Sequence, residues 1–267
     1  MQRIARQIRC DIIRMIHAAG SGHPGASLSA VEIVTALYFS VMNIDPSRPD
    51  WPRRDRFILS KGHACPVLYA ALARRGYFAA DELMTLRRIN SRLQGHPDMN
   101  KTPGVDMTSG SLGNGLSCGG GMALAARLDS LPARIYVLLG DGELQEGIVW
   151  EAAMTAAHYR LDNLCAIVDN NGLQLDGFTR DVMGVGPVSE KWRSFGWNVI
   201  ETGGHDLDAL VRAFESARET KGRPTVVIAA TTKGKGVSFM ENECGWHGRC
   251  PTGDEAARAL VELGETL

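Results

Sequence analysis

Apolar residues recur at helical spacing along the start of the chain: Ile4, Ile8, Ile12 and Met15, with Ile13 and Ile16 beside them. A stripe at that period predicts a first helix with one buried face. Gly20-Ser21-Gly22-His23-Pro24-Gly25 breaks the period and reads as a tight, exposed turn. A second helix is expected from there to about Met42, with Ser27 or Ser29 available to cap it. Further on the period shortens. Asp55 to Ser60, Arg134 to Leu139, Leu164 to Val168, Asn198 to Glu201 and Thr225 to Thr231 read as strands. Helical stretches separate them: one from near Pro66, then 81–89, Met122 to Leu128, the stretch after Gly142, Val188 to Phe195 and Leu207 to Thr220. A terminal helix is expected over Asp254 to Leu263. Strands alternating with helices argue an α/β fold with a mostly parallel sheet. No repeat, low-complexity tract or linker interrupts the pattern, so residues 1–267 read as one domain.

Two strand ends carry the most chemistry. The run ending at Leu139 leads into Gly140-Asp141-Gly142-Glu143, and the run ending at Val168 leads into Asp169-Asn170-Asn171-Gly172. In a parallel sheet both ends lie on the same edge, where ligands bind. A carboxylate and a carboxamide there suit a hard cation such as Mg²⁺, which takes one or two protein carboxylates and completes its shell with water and phosphate oxygens. The stretch reads as a metal-plus-diphosphate site, although an isolated Gly-Asp-Gly is ordinarily just a turn.

Other segments admit two readings each. His63 lies between a strand end and a helix start, where backbone N–H groups and the helix dipole favour an anion; it could equally be a loop histidine bonded to backbone. His23 could be a simple turn residue. The glycines from Gly104 to Gly121 permit close approach by a ligand, or by a packed helix. Lys233-Gly234-Lys235-Gly236-Val237 and His247 follow the last strand. They are either a solvated basic loop or added positive charge for a diphosphate.

Composition removes several function classes. The net charge is −1, with no basic excess to suggest nucleic acid. No apolar run approaches the roughly 20 residues of a membrane span. Arg3, Arg6 and Arg9 could imitate a targeting peptide, but they run into the helical pattern without a cleavage-like site. The six cysteines form no Cys-x-x-Cys and read as reduced thiols of a cytoplasmic protein.

The Gly-Asp-Gly…Asn-Asn arrangement, with residues 143–169 between Gly142 and Asn170, resembles the thiamine diphosphate signature. Gly-Asp-Gly-Glu-Leu-Gln-Glu-Gly resembles the transketolases in particular. So do Ser-Gly-His-Pro-Gly at His23, Ser-Lys-Gly-His at His63, Gly-His-Pro-Asp at His96 and Lys-Gly-Lys-Gly-Val…Trp-His-Gly at His247. The resemblance covers essentially the whole chain, but only the N-terminal, diphosphate-binding part of a conventional transketolase. It implies the three-layer α/β/α thiamine diphosphate-binding fold and the N-terminal subunit of a split transketolase. The pyrimidine-binding and C-terminal domains would then lie on a partner chain.

Carried over residue by residue, the resemblance implies that Asp141 and Asn171 give side-chain oxygens to Mg²⁺ (Ca²⁺ or Mn²⁺ as substitutes) and Leu173 its carbonyl. Asn171 also touches the cofactor, as do Gly110 and Leu112. Gly142 and Glu143 shape the diphosphate turn, and His63 and His247 face the diphosphate. His23 and His96 contact the sugar, and imidazoles titrating near neutrality would suit its proton transfers. Catalytic roles fall to His23, His96 and His247, and to Glu146, which would meet the partner's catalytic glutamate. The implied reaction moves a two-carbon ketol unit reversibly from a ketose phosphate to an aldose phosphate. The implied assembly is α2β2, inactive without the partner subunit.

Other readings keep the fold. The α subunit of a 2-oxoacid dehydrogenase would lack Ser-Gly-His-Pro-Gly and Gly-His-Pro-Asp. Deoxyxylulose-phosphate synthase shares more strings but not the full set. A transketolase-like enzyme for an unusual ketose, such as apulose 4-phosphate or a sulfonated sugar, and a non-catalytic regulatory paralogue are the alternatives. Asp98 stands where glutamate is frequent in the resembled family, which leaves the cofactor site intact. A nicotinamide-binding fold is disfavoured, because no strand leads into Gly-x-Gly-x-x-Gly.

Overall fold

Side chains alternate along the central strands, and that alternation defines the layers. Ile135, Val137, Leu139, Leu164, Ala166 and Val168 are buried in one core. Tyr136, Leu138, Cys165, Ile167, Val227 and Ala229 are buried in another. Strands apolar on both faces belong to a parallel sheet covered on both sides.

The computed structural model describes residues 1–266. In chain order its helices and strands are α1 (Gln2–Ala19), α2 (Pro24–Ser29), α3 (Val31–Ala36), β1 (Arg56–Leu59), α4 (Cys65–Arg75), α5 (Asn114–Leu128) and β2 (Ile135–Gly140). Then follow α6 (Gly147–His158), β3 (Leu164–Asn170), α7 (Thr179–Val182), α8 (Val188–Ser194), β4 (Asn198–Gly203), α9 (Leu207–Glu219), β5 (Thr225–Ala230) and α10 (Gly253–Glu262). All strand pairs are parallel, in the order β1-β2-β3-β5-β4. Residues of α1 to α4, α9 and α10 pack on one face, and residues of α5, α6 and α8 on the other. The architecture is the expected three-layer α/β/α. No helix among the described residues is long and apolar enough to cross a membrane.

Several boundaries differ from the sequence reading. The helix expected to run to Met42 is three pieces: α2, α3, and a π-helical turn over Leu37–Val41. Neither serine caps α2. Pro24 starts it, where a missing N–H costs nothing. Ser27 Oγ donates back to the His23 carbonyl at 2.7 Å, and Ser29 Oγ donates to Asp169. The helix expected over 81–89 is a 3-10 turn, Ala80–Thr85. Arg87 and Asn90 beyond it have φ of 60° and 65°, which no right-handed helix contains. α5 begins at Asn114 rather than Met122. Its glycines serve close packing: a Cβ on Gly119 would stand 2.5 Å from Val137 of β2.

The parallel register puts the chemistry at one edge. Gly140 pairs with Asp169, and Asn170 with Ala230. The carboxyl ends of β1, β2, β3 and β5 therefore open toward the same space.

Candidate active site

Four strand ends and the glycine loop before α5 enclose a cavity of about 270 Å³. Lys61, His63, Leu112, Asp141, Asn171, Leu173, Lys233 and His247 are among its walls.

A buried ion pair underlies it. Asp169, fully buried, accepts from Lys61 Nζ, Ser29 Oγ and Thr231 Oγ. Burial alone would raise this carboxyl; Lys61 and the donors around it hold it below the usual carboxylate range. Lys61 also donates to the Ala26 carbonyl at 3.0 Å, so the pair ties α2, β1, β3 and the end of β5 together.

On the wall, Asp141 accepts from Gly142 N at 2.8 Å and from Gly172 N. Burial, reinforced by nearby Asp169, pushes its carboxyl up to about 6. Asn171 Oδ1 accepts from Leu173 N at 3.1 Å. Asp141, Asn171 and Leu173 thus come together as the sequence suggested. Among the described residues no three His, Cys, Asp or Glu side chains cluster to hold a metal. One carboxylate, one amide oxygen and one main-chain carbonyl form a different donor set, which fits Mg²⁺ sharing its shell with water and phosphate oxygens. A cation there would also favour the ionised form of Asp141.

Glu143 plays a different part from a ligand. Its carboxylate is buried and accepts from Ser60 Oγ, from Gly113 N at 2.7 Å and from Gly140 N at 2.9 Å. It staples the glycine loop to the end of β2. Gly113, at φ 86°, makes the reversal that starts α5. Gly142 packs against Gln174, on the loop that follows β3. Leu112 faces the cavity, whereas Gly110 lies beneath the His96 ring, where a Cβ would stand 3.4 Å from it. His96 is exposed. Glu146 is also exposed, on the cavity rim at the start of α6.

Three imidazoles pack together. Ring centroids lie 5.1 Å apart for His23 and His63, 5.1 Å for His63 and His247, and 5.5 Å for His23 and His247. His23 Nδ1 faces Arg87 at 3.5 Å, and His247 Nδ1 faces Lys233 Nζ at 2.9 Å. Both partners are donors, so each Nδ1 accepts and each proton sits on Nε2. Burial, then neighbouring positive charge, lowers His63 to about 2 and His23 and His247 to about 4. His96 is lowered by burial and Arg87. The expectation of an imidazole titrating near neutrality is therefore corrected for His23: at pH 7 His23, His63 and His247 are neutral hydrogen-bonding groups.

Sequence reasoning left Lys61 and Arg87 without a role and Lys233 between a solvated loop and a diphosphate contact. Lys61 and Lys233 are both 2% exposed, and burial followed by Lys61 lowers Lys233 to about 8. Lys233 Nζ lies 3.5 Å from the Leu173 carbonyl. Both lysines stand inside strings that point to the site, so local sequence held the signal. Arg87 carried none; only the fold of its loop brings it to His23, with Ser21 Oγ accepting from it at 2.7 Å.

The family model for the transketolase thiamine diphosphate-binding domain matches residues 1–266. The chain is 47% identical over 263 residues to a 6-deoxy-6-sulfo-D-fructose transketolase subunit of a Clostridium species, covering 98% of this chain and 96% of that one. It is 47% identical over 264 residues to an apulose-4-phosphate transketolase subunit of Actinobacillus succinogenes, covering 98% and 95%. Among solved structures, transketolase from Leishmania mexicana superposes with a TM-score of 0.95 at 33% identity, covering 99% of this chain but 41% of that one. The chain belongs to the transketolase family, as its N-terminal, thiamine diphosphate-binding domain.

Proposed function

We propose that this chain is the cofactor-holding subunit of a two-chain transketolase, moving a two-carbon ketol unit between sugar phosphates. The observation that carries the reading is one cavity with two buried lysines and the Asp141–Asn171–Leu173 oxygen set, flanked by three neutral imidazoles. Asp141, Asn171 and Leu173 would hold Mg²⁺; Lys61, Lys233, His63 and His247 would receive the diphosphate, with Gly110 and Leu112 beside the cofactor. Thiamine diphosphate, when bound, supplies the nucleophilic carbon that the protein lacks.

The chain's own groups bind and orient. His23 and His247 each present an Nε2–H donor for oxygens that gain charge during transfer. His96, with Arg87 near it and His23, forms the sugar side of the site. Glu146, exposed on the rim, is the group best placed to meet a second chain.

A partner carrying the pyrimidine-binding domain completes the site, in an α2β2 assembly. Two relatives of nearly this chain's length are named as subunits, which supports a split enzyme. Pentose phosphates in the cytoplasm are the default substrates. Apulose 4-phosphate or a sulfonated ketose is the second reading, favoured by the names of those two relatives.

The test is a coupled assay of ketol transfer from xylulose 5-phosphate to ribose 5-phosphate with thiamine diphosphate and Mg²⁺. It is run on the chain alone and with the subunit encoded beside it. Activity in the pair alone is expected. Activity in the lone chain would refute the split-site reading. Transfer only from apulose 4-phosphate or a sulfonated ketose would select the second reading. Cofactor binding with no transfer in any pairing would indicate a regulatory protein.

A further inference from the structure

A second buried polar cluster lies away from the diphosphate cavity, on the wall of a separate open cavity of about 1090 Å³. Glu32 on α3 is 7% exposed and holds Arg9 of α1 through contacts of 2.6 and 2.7 Å. The same carboxylate receives His205 Nδ1 at 2.9 Å. The far nitrogen, His205 Nε2, accepts from Thr232 N at 2.8 Å. Arg9 Nε donates to the Lys235 carbonyl at 2.9 Å.

The two outer bonds grip the main chain on either side of Lys233. From that gripped segment Lys233 sends Nζ to His247 Nδ1 and the Leu173 carbonyl, inside the cofactor cavity. A second feature supports the grip. Gly234 N donates to the Gly25 carbonyl at 3.1 Å, and a Cβ on Gly236 would strike Arg9 at 2.8 Å. The loop is thus clamped front and back, with Lys233 pointing at the diphosphate site and Lys235 turned away to Glu241 at 3.1 Å.

The chemistry of the bridge is directional. Thr232 N–H needs an acceptor, so His205 Nε2 must be unprotonated and the ring proton must sit on Nδ1. Glu32 selects that tautomer by accepting from Nδ1 and orients the ring, as a carboxylate behind a histidine does at metal and catalytic sites. Without Glu32 the other tautomer would meet Thr232 with a second donor and open the grip.

We propose that Glu32, His205 and Arg9 are positioning residues that fix Lys233 for binding the diphosphate, although none of them lines its cavity. The proposal rests on the cofactor reading above. It predicts a defect in cofactor affinity that passes through Lys233, not a general loss of structure.

The experiment uses the chain together with its partner subunit and measures thiamine diphosphate dissociation constants with Mg²⁺ by calorimetry, beside melting temperatures without cofactor. His205→Leu is expected to weaken binding about tenfold, the scale of an outer-shell defect. His205→Gln, which can still offer a donor and an acceptor, should stay within about threefold of wild type. Lys233→Met should also weaken binding, and adding His205→Leu to it should cost less than about twofold more, because residues acting through one group are not additive. An unchanged dissociation constant in His205→Leu overturns the proposal, as does full additivity with Lys233→Met. If His205→Leu does not fold, Glu32→Leu takes its place at similar volume and with no acceptor for His205 Nδ1, and unchanged binding there is equally decisive against it. A wild-type complex that binds no cofactor would instead refute the underlying reading of the site, and this proposal with it.

Discussion

Positive charge at this site is concentrated on side chains withdrawn from water, and that sets their response to pH. Lys233 is lowered to about 8 by burial and then by Lys61, so near pH 8 a sizeable fraction is unprotonated. A diphosphate beside it favours the ammonium form. Cofactor binding at pH 8 should therefore take up protons; Asp141, at about 6, is already ionised there and releases almost none. Calorimetry in two buffers of different ionisation enthalpy reads this directly, and Lys233→Met should abolish it. The histidines act in the opposite sense on stability. His63 is lowered to about 2, and His23 and His247 to about 4, below their unfolded values. The unfolded chain then binds more protons, so their contribution is full above about pH 6.5 and is lost as the pH falls toward 4 and below. Denaturant unfolding of His63→Asn between pH 6.5 and 5 should show a slope shallower by about 1 kcal/mol per pH unit than wild type. An unaltered slope would mean that this ring is readily charged in the folded chain.

At the scale of elements, α5 shows how glycine can serve packing in place of flexibility. Gly119 faces β2, with Val137 2.5 Å from where a Cβ would stand. Gly121 faces outward, with nothing within 4 Å. Alanine is the better helix former at both, by about 1 kcal/mol. Gly121→Ala should therefore stabilise the chain by up to about 1 kcal/mol. Gly119→Ala should destabilise it by about 1–3 kcal/mol, because overpacking outweighs propensity. Urea denaturation of the two variants decides the matter, and equal effects would refute the close helix–sheet contact. These glycines explain why the sequence placed the helix start at Met122: runs of glycine signal loops, and only the facing strand reveals that the helix needs them. Glu143 illustrates the same limit. Its place in Gly-Asp-Gly-Glu suggested a diphosphate turn, yet besides neighbouring Gly140 its carboxylate accepts from Ser60 and Gly113, two segments distant in the chain.

For the molecule as a whole, ligand and metal should appear as linked stability. A saturating ligand at about 100 times its dissociation constant adds about 2.7 kcal/mol. That is about 5 °C or more in melting temperature for a chain of this size. We expect thiamine diphosphate with Mg²⁺ to raise the melting temperature of the proposed two-chain complex, EDTA to reverse the gain, and Asp141→Asn to remove its Mg²⁺-dependent part. A gain that survives Asp141→Asn would move the metal elsewhere. By itself the sequence determined the fold class, the five strands and the Asp141, Asn171 and histidine motifs, because those signals are local: apolar period, turn residues and short strings around reactive groups. The tertiary structure alone decided the breaks in the helix before Met42, the early start of α5, the inward Lys233, the approach of Arg87 to His23 and the neutral state of the imidazoles. Each depends on burial and on partners distant in sequence, and desolvation and long-range hydrogen bonding leave no periodic trace in the chain.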